Sequence, residues 1–235
     1  MNSENREDAL QKSLQAYAAR PLSADEKRGY LEWSLDFFTD TGILQDPFVD
    51  LTLQLDVTRA YAAYRQREIA GLTFFSFLLW HLAQTMQGHL GFKLRKIGQE
   101  WLVLENAPLV VPVAIGGENR FCELLLENVS RQSLAEMAGQ YRRQLDSARR
   151  GEVRRMAPET FLTACFVGNL PDLQFTGLSL HWRKALIQCQ PCFYFGKRYE
   201  QDGKLFIPLA AKLHHACTDP FVLNGLIRDF TARFG

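Results

Sequence analysis

From Phe48 to Thr58 the chain alternates: Val49, Leu51, Leu53, Leu55 and Val57 take the odd positions, while Asp50, Thr52, Gln54 and Asp56 take even ones. A period of two sorts side chains onto opposite faces of a sheet, so this segment predicts a strand with one buried face. Elsewhere the period lengthens. Tyr30, Leu31, Ser34, Leu35 and Phe38 recur at helical spacing behind Ser23 and a run of acidic residues, predicting a helix across SADEKRGYLEWSLDFF. Thr58 is placed to cap a helix containing Tyr61 and Tyr64, and Thr73–Gln87 is apolar on most sides, as a core helix requires. KLRKI and EWLVLE predict a hairpin around Gly98-Gln99, and LVVPVAI a further strand. Ser130–Arg149 carries the clearest helical stripe, Leu134, Met137, Ala138, Tyr141 and Leu145, with Arg131, Glu136, Arg142, Arg143 and Asp146 elsewhere on the surface.

After Phe161 strands are expected to dominate: TACFVGNL, LSLHW, CFYFGKRY and KLFIPLAAKLH, the last two joined through the Asp202-Gly203 turn signal. The chain closes on DPFVLNGLIRDFTARF, a helix with Asp219 as N-cap and Pro220 in the first turn. The first 20 residues read as a polar helix or loose arm, with only a weak amphipathic pattern. No internal repeat or linker divides the remainder. The expectation is an N-terminal arm, 1–21, followed by one α/β domain, 22–235, built on a large mixed sheet.

Composition narrows the classes. Of 235 residues, 47% are hydrophobic and 23% charged, which suits a packed core rather than a disordered chain. The net charge of +1 gives no reason to expect nucleic acid or an anionic membrane as partner. Arg149, Arg150, Arg154 and Arg155, in ARRGEVRRMAPET, read as a solvated helix end favoured by the macrodipole. The longest apolar run, Leu72–Leu79, is far shorter than the roughly 20 residues of a membrane span. The N-terminus lacks the apolar centre of a signal peptide, so a cytoplasmic location is expected. Cys122, Cys165, Cys189, Cys192 and Cys217 are odd in number and irregularly spaced; the Cys189/Cys192 pair reads as buried strand thiols, and no metal site is expected.

The chemistry concentrates in Lys212–Asp219, KLHHACTD, where two histidines end an apolar strand and an aspartate follows before a helix. A neutral imidazole held rigidly at a strand end can take a proton from a hydroxyl or thiol near pH 7. Taken alone, such a pair is more often structural than catalytic. The surroundings change that. FYFGKRYEQDGKLFIPLAAKLHHACTDPF resembles the C-terminal signature of chloramphenicol acetyltransferases, in which such a hairpin strand runs into HHxxxDG and a closing helix. Weaker correspondence extends upstream through FVGNLPDLQFTG, LAQTMQGHLGFKLRKIGQEWLVLENAPLVVPVAI and TLQLDVT, so the resemblance covers most of the chain from about residue 22.

The resemblance implies a two-layer α/β sandwich with helices packed on a large mixed sheet. It also implies homotrimers with active sites between subunits, and no permanently bound cofactor. His215 would be the general base, and Asp219 a structural residue paired with a basic residue of the early helix, a place that Lys27 or Arg28 fits. Lys197 matches a lysine near the coenzyme A phosphate. The pattern is broken at four positions: Gly168 stands where the family has an oxyanion-stabilising serine on the donor side, Tyr194 replaces a threonine, Asp172 an aromatic and Pro220 a glycine. Asn169 and Tyr194 remain as groups to polarise the carbonyl. These departures argue against chloramphenicol as acceptor. The expectation is transfer from acyl-coenzyme A, or from phosphopantetheine on an acyl carrier protein, to a hydroxyl or amine of a specialised metabolite. Two alternatives stand beside it: another His-base reaction such as elimination or cyclisation, and a non-catalytic trimeric binding or scaffold protein. His81 reads as a satisfied core histidine, His89 and His181 as surface groups, and Phe74, Phe75 and Phe77 as a core stripe.

Overall fold

The computed structural model describes residues 3–118, 120–152, 156–181 and 189–234. Arg154 and Arg155 of the basic linker and Trp182 of the LSLHW segment lie outside them. The first half of the chain runs α1 (Ser3–Ala16), β1 (Ala19–Pro21), α2 (Tyr30–Phe37), β2 (Phe48–Asp56), α3 (Thr58–Arg65), α4 (Phe74–Met86), α5 (Leu90–Lys93), β3 (Leu94–Ile97) and β4 (Glu100–Leu104). The second half runs β5 (Leu109–Gly116), β6 (Arg120–Leu126), α6 (Leu134–Arg149), α7 (Pro158–Thr163), β7 (Cys165–Asn169), β8 (Cys192–Phe195), β9 (Tyr199–Gln201), β10 (Lys204–His214) and α8 (Pro220–Ala232).

A seven-stranded mixed sheet carries the fold, in the order β2-β10-β8-β7-β5-β6 with β9 pairing β10. Strand β7 runs parallel to β5 and β8, whereas β10 is antiparallel to both β2 and β8. The main core lies between this sheet and α4, α6 and α8: Phe77, Leu79 and Leu82 of α4, Met137 and Tyr141 of α6, and Leu226 and Phe230 of α8 pack with Val111, Val167, Phe193 and Leu209. This is the expected α/β sandwich. Among the described residues no helix is long and apolar enough to cross a membrane.

Local chemistry explains the best-predicted elements. Helix α4 starts at a reciprocal cap, with Ser76 N–H donating to Thr73 Oγ1 at 3.1 Å and Thr73 N–H to Ser76 Oγ at 3.0 Å. Ser133 and Glu136 form the same box on α6. The β9–β10 turn needs two left-handed residues, and Asp202 (φ 51°) and Gly203 (φ 73°) supply them.

Several segments differ from expectation. The helix predicted from Ser23 begins only at Tyr30, because Gly29 turns the backbone to φ 74° and the Glu26 carboxylate is held by Ser23 and Arg20. The N-terminal segment takes the helical of its two expected forms, but it also packs on the domain. Leu14 and Tyr17 are buried against Leu102 and Leu104, and β1 pairs with β4 to make a three-stranded second sheet, β1-β4-β3. The described part of LSLHW, residues 178–181, forms no strand: Leu178 N–H bonds Thr52 Oγ1 and Ser179 Oγ bonds the Asp50 carboxylate, so side chains of edge strand β2 capture it in place of a ladder. Strand β6 and the short α7 were not anticipated, although Cys122, Leu124 and Leu126 alternate inward on β6.

Candidate active site

Strand β10 carries the two histidines to the end of the sheet, and the loop 214–219 that follows is held from three sides. His215 N–H donates to Pro47 O at 2.7 Å. The buried Ser34 hydroxyl of α2 donates to Ala216 O at 2.8 Å. At Gly91 of α5, an added Cβ would lie 2.2 Å from Cys217 O, so the helix reaches the loop only because that residue lacks a side chain. Within the loop, His214 O accepts from Cys217 N–H, Thr218 N–H and the Thr218 hydroxyl, at 3.1, 2.9 and 3.1 Å. Asp219 Oδ1 accepts from Val222 N–H at 2.8 Å and starts α8.

The two histidines have different surroundings. His214 is buried and its Nδ1 accepts from Ala216 N–H at 3.2 Å. Burial, then the charges of Lys96 and His215, pushes its pKa down to about 4, so it is neutral at physiological pH with the ring proton on Nε2. His215 is half-buried. Its ring stacks on Phe38, with centroids 4.0 Å apart and planes at 16°. Its Nδ1 is buried with no partner among the described residues, which leaves Nε2 as the nitrogen that meets solvent. Phe38 touches Phe37 and Trp33, and Trp33 touches Tyr30. Trp33 and Tyr30 are about half exposed, so an aromatic ramp leads from the surface to the imidazole.

The carbonyl-polarising candidates lie elsewhere on the sheet. Gly168 and Asn169 of β7 are in register with Tyr194 and Phe195 of β8. A Cβ on Gly168 would lie 2.2 to 2.8 Å from three Tyr194 ring atoms. The tyrosine therefore fills the space that a serine side chain would need, and the two departures from the family pattern are one packing event. Burial, and secondarily the Cys192 thiol, pushes the Tyr194 pKa up to about 12, so its hydroxyl stays a donor at neutral pH. Tyr194 pairs with Ala210, five positions before His215 along β10. At about 3.3 Å per residue that is roughly 16 Å. Within one chain, His215 and these candidate donors are thus well apart along the sheet.

Lys197 is exposed, and its N–H donates to Leu173 O at 2.8 Å. The expected ion pair of Asp219 is not formed. Lys27 lies 3.8 Å from Asp36 and Arg28 pairs with Asp25, both on the turn before Gly29, while the Asp219 carboxylate serves as a helix cap. His81 is a core histidine: Phe77, Trp80 and Phe234 surround it, Arg233 Nε donates to its Nδ1 at 3.3 Å, and burial lowers its pKa to about 4. All five cysteines are buried and free. Cys192 is a strand thiol of β8, but Cys189 precedes that strand, with φ 70°, and packs with Cys217 in a separate cluster. Phe38, Ser34 and Gly91 were missed as site residues. Their periodicity or isolation in sequence showed only helix and turn, and the contacts that matter cross the fold.

A model of the family described as chloramphenicol acetyltransferase matches residues 37–231, which include the site residues above except Lys27, Arg28, Tyr30, Trp33 and Ser34. The chloramphenicol acetyltransferase of Campylobacter coli is 42% identical over 55 residues, 23% of this chain and 27% of that one. That of Clostridium perfringens is 33% identical over 89 residues, 36% of this chain and 42% of its own. These aligned stretches thus cover less than half of either relative. The Proteus mirabilis enzyme aligns over 189 residues, 76% of this chain and 79% of that one, at 23% identity. Among solved structures, a chloramphenicol acetyltransferase superposes with a TM-score of 0.74 at 17% identity, covering 92% of this chain and 100% of the other. The dihydrolipoamide acetyltransferase of Azotobacter vinelandii gives 0.65 at 16% identity over 92% and 96%.

Proposed function

Since the chain belongs to the chloramphenicol acetyltransferase family, we propose that it moves an acyl group from a thioester to a hydroxyl or amine of a small molecule, with His215 as the base. The observation that carries this reading is the state of His215: fixed by Pro47, stacked on Phe38, its Nε2 open at the foot of an aromatic ramp. In the tautomer that a base requires, the proton sits on Nδ1 and the Nε2 lone pair faces the acceptor. Nε2 takes the acceptor proton as the acceptor oxygen or nitrogen bonds to the thioester carbonyl carbon. The carbonyl becomes an oxyanion. Its collapse breaks the carbon–sulfur bond, and the thiolate leaves as a thiol with the proton returned by the imidazolium. General-base help of this kind is worth roughly a hundred- to ten-thousand-fold, and an oxyanion donor a further few kcal/mol.

Tyr194 is the proposed donor, and the Asn169 amide, one position beyond Gly168 on β7, is a second candidate. Tyr194 keeps its proton well above neutral pH, and Gly168 leaves room for its ring. Because base and donor are far apart in one chain, the working site combines His215 of one copy with Tyr194 of the next, in a homotrimer. The trimer is part of the proposal, as are acyl-coenzyme A or carrier-protein phosphopantetheine as donor, a specialised-metabolite acceptor other than chloramphenicol, Lys197 beside the donor and a cytoplasmic location. The test is thiol release from acetyl- and longer acyl-coenzyme A in the presence of pooled alcohols and amines, with mass spectrometry of the pool. Release that requires both donor and acceptor, with an acylated product, is expected. If neither coenzyme A nor carrier-protein thioesters yield a thiol, the acyltransferase reading fails.

A further inference from the structure

Beneath the loop that carries His215, three soft donor groups converge that the acyl-transfer chemistry does not use. The Sγ atoms of Cys189 and Cys217 and a ring nitrogen of His214 all lie within 4.8 Å of one another. Their residues are 2%, 4% and 8% exposed, so no bulk water competes for them. They come from three places in the chain: the residues ahead of β8, the loop itself and the end of β10. None is in a disulfide. Cys189 adopts φ 70°, a left-handed conformation unusual for a residue with a side chain, so the surrounding structure must hold it there.

We propose that Cys189, His214 and Cys217 bind a thiophilic d10 cation of the Zn²⁺ or Cu⁺ kind. Two thiolates and an imidazole are the donor set that such ions select, and sulfur-to-metal distances near 2.3 Å require donor atoms about 4 Å apart, so the observed group closes on an ion with small side-chain rotations. His214 binds through Nδ1, the nitrogen with the lone pair. Ala216 N–H holds that lone pair by a 3.2 Å contact, which the cation replaces. Both thiols lose their protons to solvent, giving a neutral bis-thiolate of a divalent ion beside the buried cation Arg95. Ala216 follows His215 directly, and occupancy would reset the turn that presents the base.

The reduced, full-length protein is titrated with Zn²⁺, and anaerobically with Cu⁺, against a chromophoric chelator, and Co²⁺ is added as a spectroscopic probe. We expect one ion per chain and, with Co²⁺, a thiolate charge-transfer absorption. Cys189→Ser and Cys217→Ser should each weaken binding at least tenfold and remove that absorption. Cys122→Ser and Cys192→Ser, buried thiols in other clusters, should leave both unchanged. Circular dichroism and melting curves identify any variant that fails to fold, and the wild-type titration is independent of all of them. Absence of a tight site in the wild type overturns the proposal, as does a site whose affinity and spectrum survive in folded Cys189→Ser and Cys217→Ser.

Discussion

Gly168 and Tyr194 illustrate how a single residue is answerable to its neighbour across a strand pair. With a Cβ at residue 168 only 2.2 Å from the tyrosine ring, Gly168→Ser should lower stability by more than about 2 kcal/mol, the range of core overpacking. Tyr194→Thr should also destabilise, by opening a cavity. The double variant should recover about 1 to 3 kcal/mol relative to the sum of the singles, measured by urea unfolding; strict additivity would show that the two positions are not one unit. Histidines give a second prediction at this scale. His81 has a pKa of about 4 in the fold against an ordinary 6.5. Between those values the unfolded chain binds a proton that the native chain refuses, so the stability due to the neutral ring is complete above pH 6.5 and is lost as pH falls toward 4. From pH 6.5 to 5 this amounts to about 2 kcal/mol per such histidine. His214 behaves alike. Replacing His81 with Phe should therefore flatten the acid side of the stability curve by about 2 kcal/mol at pH 5. An unchanged pH dependence would mean that His81 protonates freely in the native state.

At the scale of elements, Arg95 of β3 ties α5, β3 and the end of α7 together. It is fully buried, and its guanidinium donates to Thr163 O and Ala164 O at the end of α7, and to Phe92 O and Leu94 O. Arg95→Met should strand those four carbonyls and cost about 3 kcal/mol, read from denaturant midpoints. A neutral result would show that the cost of burying the charge had offset the bonds. Elements whose signals are local were legible in the sequence: α4 announces itself by its apolar length, α6 by its stripe, β2 by alternation, and the β9–β10 turn by Asp202-Gly203. Those decided by tertiary contact were not. Ser23–Gly29 carries a helical pattern that Gly29 and the Glu26 contacts override, residues 178–181 are claimed by β2 side chains, and β1 forms by pairing with β4. In the candidate site, the Asp219 cap was visible from its motif, while the roles of His215 and Tyr194 are proposals that rest on the resemblance. The stacking of Phe38 and the failure of Lys27 and Arg28 to reach Asp219 depend on where α2 comes to rest, which no spacing encodes.

For the whole molecule, the proposed pairing of His215 of one copy with Tyr194 of the next makes the number of copies a testable part of the proposal. Co-expressing His215→Ala with Tyr194→Phe chains should restore activity that neither homogeneous protein has, with roughly a quarter of the sites intact under random mixing in a ring of identical interfaces. Failure of the mixed protein, with assembly verified, would place base and donor in the same copy or remove Tyr194 from the reaction. The central claim is the base itself, and the most direct measurement is the rate of acceptor-dependent thiol release by wild type and His215→Ala at equal concentration and equal foldedness. A fall of at least about a hundredfold with an unchanged melting temperature is the predicted result. Retention of the wild-type rate by the alanine variant would contradict it.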